Sequence, residues 1–257
     1  MQQINPQIVA NTTPEVTYTL KDARDNKDYT VAKLLDGQLW MTSDLNLAGG
    51  TVLNAATSDV PTDGYYTLPA SSSTGFSSDT VAYVYNSGNE TTDQADCYAN
   101  HPCNSYYSWL AATVGGKNSA GTVVTSNGYN AAYSICPKEW RLPTATTSNA
   151  NPRTSPNWKT GDLYKLATAY GANLESSYSE SAATFYTNAG PGTTPNFLLT
   201  GTYNNSAFTS GGSYGTYWVS TVTSSTSASD LGFSPSVVYS AGNGSHRLGF
   251  PVRCIAR

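Results

Sequence analysis

Cys136-Pro-Lys-Glu-Trp-Arg-Leu-Pro-Thr144 is the stretch on which the fold reading turns. Trp140 and Leu142 alternate with Arg141, the period of a strand with one apolar face. Pro143 ends that strand, because proline has no N–H to give to a ladder. Arg141 is left to hydrogen-bond a carboxylate or loop carbonyls, or to stay solvated as an ordinary strand arginine. Cys136 opens the stretch, and Val252-Arg253-Cys254 sets a second cysteine beside a second arginine near the end of the chain. Cys97 and Cys103 complete the set of 4 cysteines. No C-x-x-C pair and no matching histidine spacing suggests zinc. Two disulfides, Cys97–Cys103 and Cys136–Cys254, are the preferred pairing and imply an oxidising compartment. Four reduced, buried thiols are the alternative.

Toward the N-terminus, residues 1–15 are polar, carry Pro6 and Pro14, and read as a tail. Residues 16–257 read as one domain. Val16–Leu20 and Asp28–Leu35 are predicted strands around an Asp22–Lys27 turn. Asp36-Gly37 is a two-residue hairpin signal leading into a return strand, Gln38–Thr42. From Ala48 to Asn100 the chain is rich in Gly, Ser and Thr, with scattered aromatics and no helical period. That predicts long ordered loops with short strands such as Val81–Tyr85. Tyr106, Trp109, Leu110 and Thr113 recur at helical spacing before Gly115-Gly116, which predicts a helix over Tyr106–Val114. Leu163, Leu166, Ala167 and Tyr170 repeat that logic, with Gly171 as the stop. The expected class is α+β, with two helices, short antiparallel strands and long ordered loops.

Composition narrows the function classes. Charged residues make up 12% of the 257, and the net charge is −4. Without a Lys/Arg cluster to neutralise phosphates, nucleic acid is not an expected partner. No apolar run reaches the roughly 18 residues that cross a bilayer, so direct membrane insertion is not expected. Met1-Gln2-Gln3 opens without a hydrophobic leader, so export would use another route or a leader outside this chain. The 19 tyrosines, with many Ser, Gly and Asn residues, form the palette of adaptable contact surfaces. It is equally the palette of any loop-rich extracellular protein. Asn11, Asn89, Asn204 and Asn243 stand in glycosylation sequons whose use depends on the host.

Several segments, in order, resemble one known family. Tyr29-Thr-Val-Ala-Lys33, Gly37-Gln-Leu-Trp-Met41 and Asp44-Leu-Asn46 are similar to the opening of the Fibrobacter succinogenes major paralogous domain. Tyr106–Ala112 resembles its aromatic-rich first helix, and Cys136–Thr144 its C-P-x-x-W-R-L-P-T core. Phe197–Tyr203, Tyr217-Trp218-x-Ser220-Thr221 and Gly249-Phe250-x-Val252-Arg253-Cys254 resemble its closing strands. Ala145–Trp158 departs from the pattern as an insertion. The resemblance implies a C-type-lectin-like fold, distantly similar to the formylglycine-generating enzyme scaffold. Trp40, Trp109, Trp140 and Trp218 are its expected aromatic core.

The ending also resembles the variable proteins of diversity-generating retroelements, which carry their variable region at the C-terminus of a C-type-lectin fold. Adenine mutagenesis there scatters Asn-type codons into the residue types found between Val219 and Leu248. The candidate variable region is 217–254. Its expected ligand-binding positions are Val219, Val222, Asp230, Gly232, Ser234, Tyr239, Ala241, His246 and Leu248. Period-2 alternation turns Leu231 and Phe233 inward and Asp230, Gly232 and Ser234 outward. An ordinary loop in an undiversified member of the family is the other reading of the same residues.

Chemistry finds little footing. His101 and His246 are isolated in sequence, and no nucleophile elbow is present. Cys97 and Cys103 lack the cationic neighbours that would make a reactive thiolate, so they read as structural. No catalytic residue, cofactor or metal is expected. Glu90, Asp93 and Asp96 are the densest acidic group and the one calcium candidate, but the sugar-binding motifs of calcium-dependent lectins do not occur. The expectation is a ligand-binding module that meets a protein or glycan at a cell surface or on a virion. An undiversified adhesive or structural surface protein is the alternative, and an enzyme on the related scaffold is a third class.

Overall fold

The computed structural model describes residues 13–72, 76, 79–85, 105–145, 159–175, 177–180 and 184–257. Its first sheet gathers segments from both ends of the chain. β1 (Thr17–Lys21), β2 (Asp28–Lys33), β3 (Leu39–Met41), β16 (Ile255–Ala256) and β8 (Trp140–Arg141) lie side by side in that order. All its pairings are antiparallel, and Ile255 pairs with Trp40 on one side and Arg141 on the other. The apolar alternation of these short strands buries Val31, Trp40, Trp140 and Ile255. The Cys136–Cys254 disulfide ties the start of the Cys136–Thr144 stretch to the last turn of the chain, across a separation of 118 residues.

The hairpin between β2 and β3 is longer than Asp36-Gly37 predicts. Leu34 N–H donates to the Gln38 carbonyl at 2.9 Å, and Gly37 N–H donates to Leu34 at 2.9 Å. The loop is therefore Leu35-Asp36-Gly37, with Gly37 in the left-handed region at φ +82°. The Asp36 carboxylate holds it by accepting from Gln38 N–H at 3.0 Å and from Trp40 Nε1–H at 2.9 Å.

Three two-stranded ribbons surround the middle of the chain: β4 (Val52–Asn54) with β5 (Tyr65–Thr67), β6 (Tyr83–Tyr85) with β7 (Ser105–Tyr107), and β10 (Thr202–Asn204) with β11 (Ala207–Thr209). The second large sheet runs β12 (Gly215–Ser224), β13 (Ser227–Ser234), β14 (Val237–Tyr239) and β9 (Ser179–Glu180), with β15 (Gly244–Ser245) also on β13. Ser224 pairs with Ser227, so β12 and β13 close through a two-residue turn at Ser225-Thr226.

The described helices are α1 (Trp109–Ala112), α2 (Asp162–Ala169) and α3 (Thr184–Ala189). α2 fulfils its prediction: Leu163, Leu166 and Ala167 are buried, and Gly171 stands at φ +91° just beyond it. The predicted Tyr106–Val114 helix is corrected to a strand followed by one helical turn. Tyr106 and Tyr107 pair with Val84 and Tyr83, and Tyr107 exchanges both backbone hydrogen bonds with Phe250 at 3.1 Å. Those partners are distant in sequence and outweigh the local helical spacing. Ser108 then caps α1, its hydroxyl accepting from Ala111 N–H at 3.2 Å. The expected two helices become three: α3 buries a single i, i+4 pair, Phe185 and Ala189, too short a repeat to announce a helix.

The architecture is a sheet-dominated α+β domain. The β12–β13 sheet separates two cores. Trp218, Val222 and Ala228 join Trp109, Trp140, Phe250 and the disulfide on one side. Tyr217, Val219, Leu231, Phe233 and Val238 join Trp40, Phe197 and the buried residues of α2 and α3 on the other. All four expected core tryptophans are at most 1% exposed. Cys97, Cys103, His101, Glu90, Asp93, Asp96, Asn11, Asn89 and most of Ala145–Trp158 lie outside the described residues.

Candidate functional site

β12 and β13 carry most of the candidate variable region, and cover on both faces decides what they present. Val219, Val222 and Ala241 are fully buried and belong to the two cores. Their expected surface positions are corrected to interior ones, because alternation exposes a face only where nothing packs on it. His246 is also interior: its ring stacks on Trp109 with centroids 4.4 Å apart and planes 12° apart. Burial lowers its pKa to about 4, partly offset by Asp79 and the Ser227 backbone. It is therefore neutral at physiological pH, and its Nε2 bonds to no described residue. Leu248 is half-buried against the first core.

The remaining four expected positions come together. Asp230 and Gly232 point to the same side of β13, opposite Trp218 and Thr216 on the neighbouring strand. Gly232 pairs with Tyr239 on the other flank, and Ser234 pairs with Val237. Asp230 and Gly232 are nonetheless covered, which corrects the expectation that they face solvent. Tyr214 does much of the covering. A side chain at Gly232 would bring its Cβ within 2.5 Å of the Tyr214 hydroxyl and 3.3 Å of Asp230 Oδ1. At Gly242 the same addition would fall 2.2 Å from Asp230 Oδ1. A side chain at either glycine would have to displace the Asp230 carboxylate or the Tyr214 phenol. Burial, then Asp230 and Tyr239, push the Tyr214 phenol above its usual range. Tyr178 extends the patch, its ring 6.5 Å from that of Tyr239.

Around this floor runs an accessible strip. Ser234, Val237, Tyr239, Tyr214 and Gly242 are half-buried, while Pro235, Ser236 and Asn243 are exposed. The chain from Tyr239 to Ser245 continues along β13: Gly242 N–H donates to the Asp230 carbonyl at 2.8 Å, and Gly244 pairs with Ala228. The Thr223 hydroxyl donates to the Asn243 side chain, which brings the hairpin turn at Ser225-Thr226 into the same strip. Sequence reasoning missed Tyr178 and Tyr214. Both lie outside the stretch between framework anchors, and only the pairings of β9 with β14 and of β12 with β13 bring them to Tyr239 and Asp230.

The framework beneath is locked by charge as well as by sulfur. Arg253 is 1% exposed; its Nε–H donates to Asp44 Oδ1 at 2.5 Å, and its Nη2 donates to the Asn196 carbonyl at 2.6 Å. Its guanidinium also lies 4.4 Å from the Phe197 ring centroid. Arg141 resolves to the carboxylate and carbonyl options together, bonding Asp162 through both Nη atoms and the Leu142 carbonyl at 3.0 Å.

Among the described residues, no group of three or more His, Cys, Asp or Glu side chains could hold a metal ion. No helix among them is long and apolar enough to cross a membrane. No protein-family model, curated protein or solved structure matches the chain.

Proposed function

We propose that this chain is a ligand-binding display module of C-type-lectin-like architecture, similar to the Fibrobacter succinogenes major paralogous domain. It acts without catalysis or a cofactor, at a cell surface or on a virion, and its partner is a protein or a glycan. The observation that carries this reading is the strip formed by Tyr214, Ser234–Tyr239, Gly242-Asn243 and the Ser225-Thr226 turn. It joins rigid tyrosines to small polar residues, a pairing that supplies contact area and adaptable hydrogen bonds at low entropic cost. The scaffold argument rests on the family-like segments. Trp40, Trp140-Arg141 and Ile255 are far apart in sequence yet share one sheet, and Cys136–Cys254 fastens it. The test is a protein and glycan array probed with the wild type and with Tyr239→Ala. Signals lost in the variant support the strip; an array on which no signal is lost removes it.

The retroelement reading narrows on the same grounds. Diversified positions belong at Thr223–Thr226, Ser234, Ser236, Val237, Tyr239, Asn243 and Arg247, where side chains reach solvent. The burial of Val219, Val222, Asp230, Gly232, Ala241 and His246 favours a second reading, an undiversified adhesive surface protein with a few open positions. Sequencing the coding locus in related isolates separates them. Substitutions concentrated at the open positions, beside a template repeat and a reverse-transcriptase gene, support diversification. An even spread of substitutions, or a locus without those neighbours, supports the adhesin.

A further inference from the structure

A cleft of about 340 Å³ lies beside β8, lined by Asp59, Ser134, Arg141, Thr144, Ser220 and Arg257 among others. None of its lining residues belongs to the tyrosine strip, so it is a separate place on the molecule. Its size falls within the range of small-molecule sites.

The hydrogen-bond bookkeeping of its walls is specific. Each lining serine or threonine hydroxyl named above spends its proton on the protein. Ser134 donates to Asp59 Oδ2 at 2.7 Å, Thr144 to Asp162 Oδ2 at 2.8 Å and Ser220 to the Pro143 carbonyl at 3.2 Å. Ser134 and Thr144 also accept, from Cys136 N–H and Asp162 N–H at 3.3 Å each, so those two oxygens keep one acceptor site apiece and Ser220 keeps two. The guanidiniums are donors alone. Arg141 commits three N–H groups to Asp162 and Leu142, which leaves its Nε–H and one Nη2–H without a partner among the described residues. Arg257 gives Nη2 to Asp59 Oδ1 at 2.6 Å, and its side chain is 47% exposed. The Asp59 carboxylate adds further acceptor capacity, and Tyr133 supplies an aromatic ring to the lining.

We propose that this cleft binds a saccharide. Acceptor oxygens and arginine donors line the same cleft, and a sugar hydroxyl donates and accepts at once, so vicinal hydroxyls satisfy both. A simple anion would use the two arginines and leave the hydroxyl acceptors and Asp59 facing like charge. An apolar ligand would leave the Arg141 Nε–H and second Nη2–H without a bond.

Saturation-transfer NMR on the full chain tests this, with free glucose, galactose, N-acetylglucosamine and glucuronic acid as probes and sodium sulfate as the anion control. At least one sugar is expected to receive saturation. Arg257→Ala is expected to weaken it about tenfold, the worth of one charged hydrogen bond. Tyr133→Ala, which removes no ion pair, is expected to weaken it too and serves if Arg257→Ala misfolds. Tyr239→Ala should leave the signal unchanged, so failure here and failure of the tyrosine strip are told apart. The proposal is overturned if none of the four sugars binds. It is also overturned if sulfate binds in their place, or if binding survives both cleft variants.

Discussion

Replacing His246 with phenylalanine should flatten the acid side of the stability curve. The His246 ring is stacked on Trp109, buried, and held at a pKa of about 4 against an ordinary 6.5. Below 6.5 the unfolded chain takes up a proton that the folded chain refuses until about 4. Stability is therefore complete above that window and falls as pH drops through it. Working from those two values, the loss is about 2 kcal/mol between about pH 7 and pH 5, and about 3 kcal/mol by pH 4. Asp36 and Asp59 run the other way, because burial raises both carboxyls and protonation relieves them. They are present in both proteins and cancel in the difference. Phenylalanine keeps the stack on Trp109 and removes the titration. Urea unfolding followed by tryptophan fluorescence at several pH values gives the two curves. The wild type should lose about 2 kcal/mol more than His246→Phe over about pH 7 to 5. Parallel curves would show that His246 titrates normally, and the buried, neutral ring would be wrong.

Removing the long-range crosslink with Cys254→Ser should cost about 4–5 kcal/mol by loop entropy, given a sequence separation of 118. Thermal melts with and without reductant check it, and an unreduced wild type with a free Cys254 thiol in mass spectrometry would contradict it. Arg253→Met should destabilise by about 3–5 kcal/mol, because it leaves the Asp44 carboxylate buried without its cation. Adding Asp44→Leu should recover part of that loss, and a double variant as unstable as the sum of both singles would refute the pairing.

The first sheet was legible where local and global signals agree. Val16–Leu20, the Asp28–Leu35 and Gln38–Thr42 runs and the Trp140/Leu142 alternation each satisfy a strand period, and each found a strand partner. The Cys136–Cys254 pairing was legible from placement, since Cys97 and Cys103 sit close together and the other two cysteines are left for each other. α2 was readable because its apolar repeat and its glycine stop both point to a helix. The Tyr106–Val114 segment was misread because helical spacing of aromatics is also what a strand leading into one helical turn produces. The pairing of Tyr107 with Phe250 decides between them, and nothing near Tyr107 announces it. α3 offers only one i, i+4 pair, Phe185 and Ala189, and their core partners, Phe197 and Phe233 among them, come from other segments of the chain.

The candidate site was legible in part and for a clear physical reason. Small residues between aromatic anchors do mark the region, and Asp230, Gly232, Ser234 and Tyr239 do share one side of the β13–β14 pair. Period-2 logic then fails to say which side is wet. A sheet between two cores makes Val219 and Val222 interior although they face opposite ways. Gly232, expected to face outward, is covered instead, and a Cβ there would meet the Tyr214 hydroxyl at 2.5 Å.

The binding face is tested most directly by titrating the strongest array ligand against the wild type and Tyr214→Ala/Tyr239→Ala, with melting temperature measured alongside. Two central tyrosine anchors should together carry at least about 2 kcal/mol, so the dissociation constant should rise about thirtyfold or more. The fold should persist, because both side chains are only half-buried. An unchanged dissociation constant in a folded double variant would contradict the assignment of this strip as the contact surface.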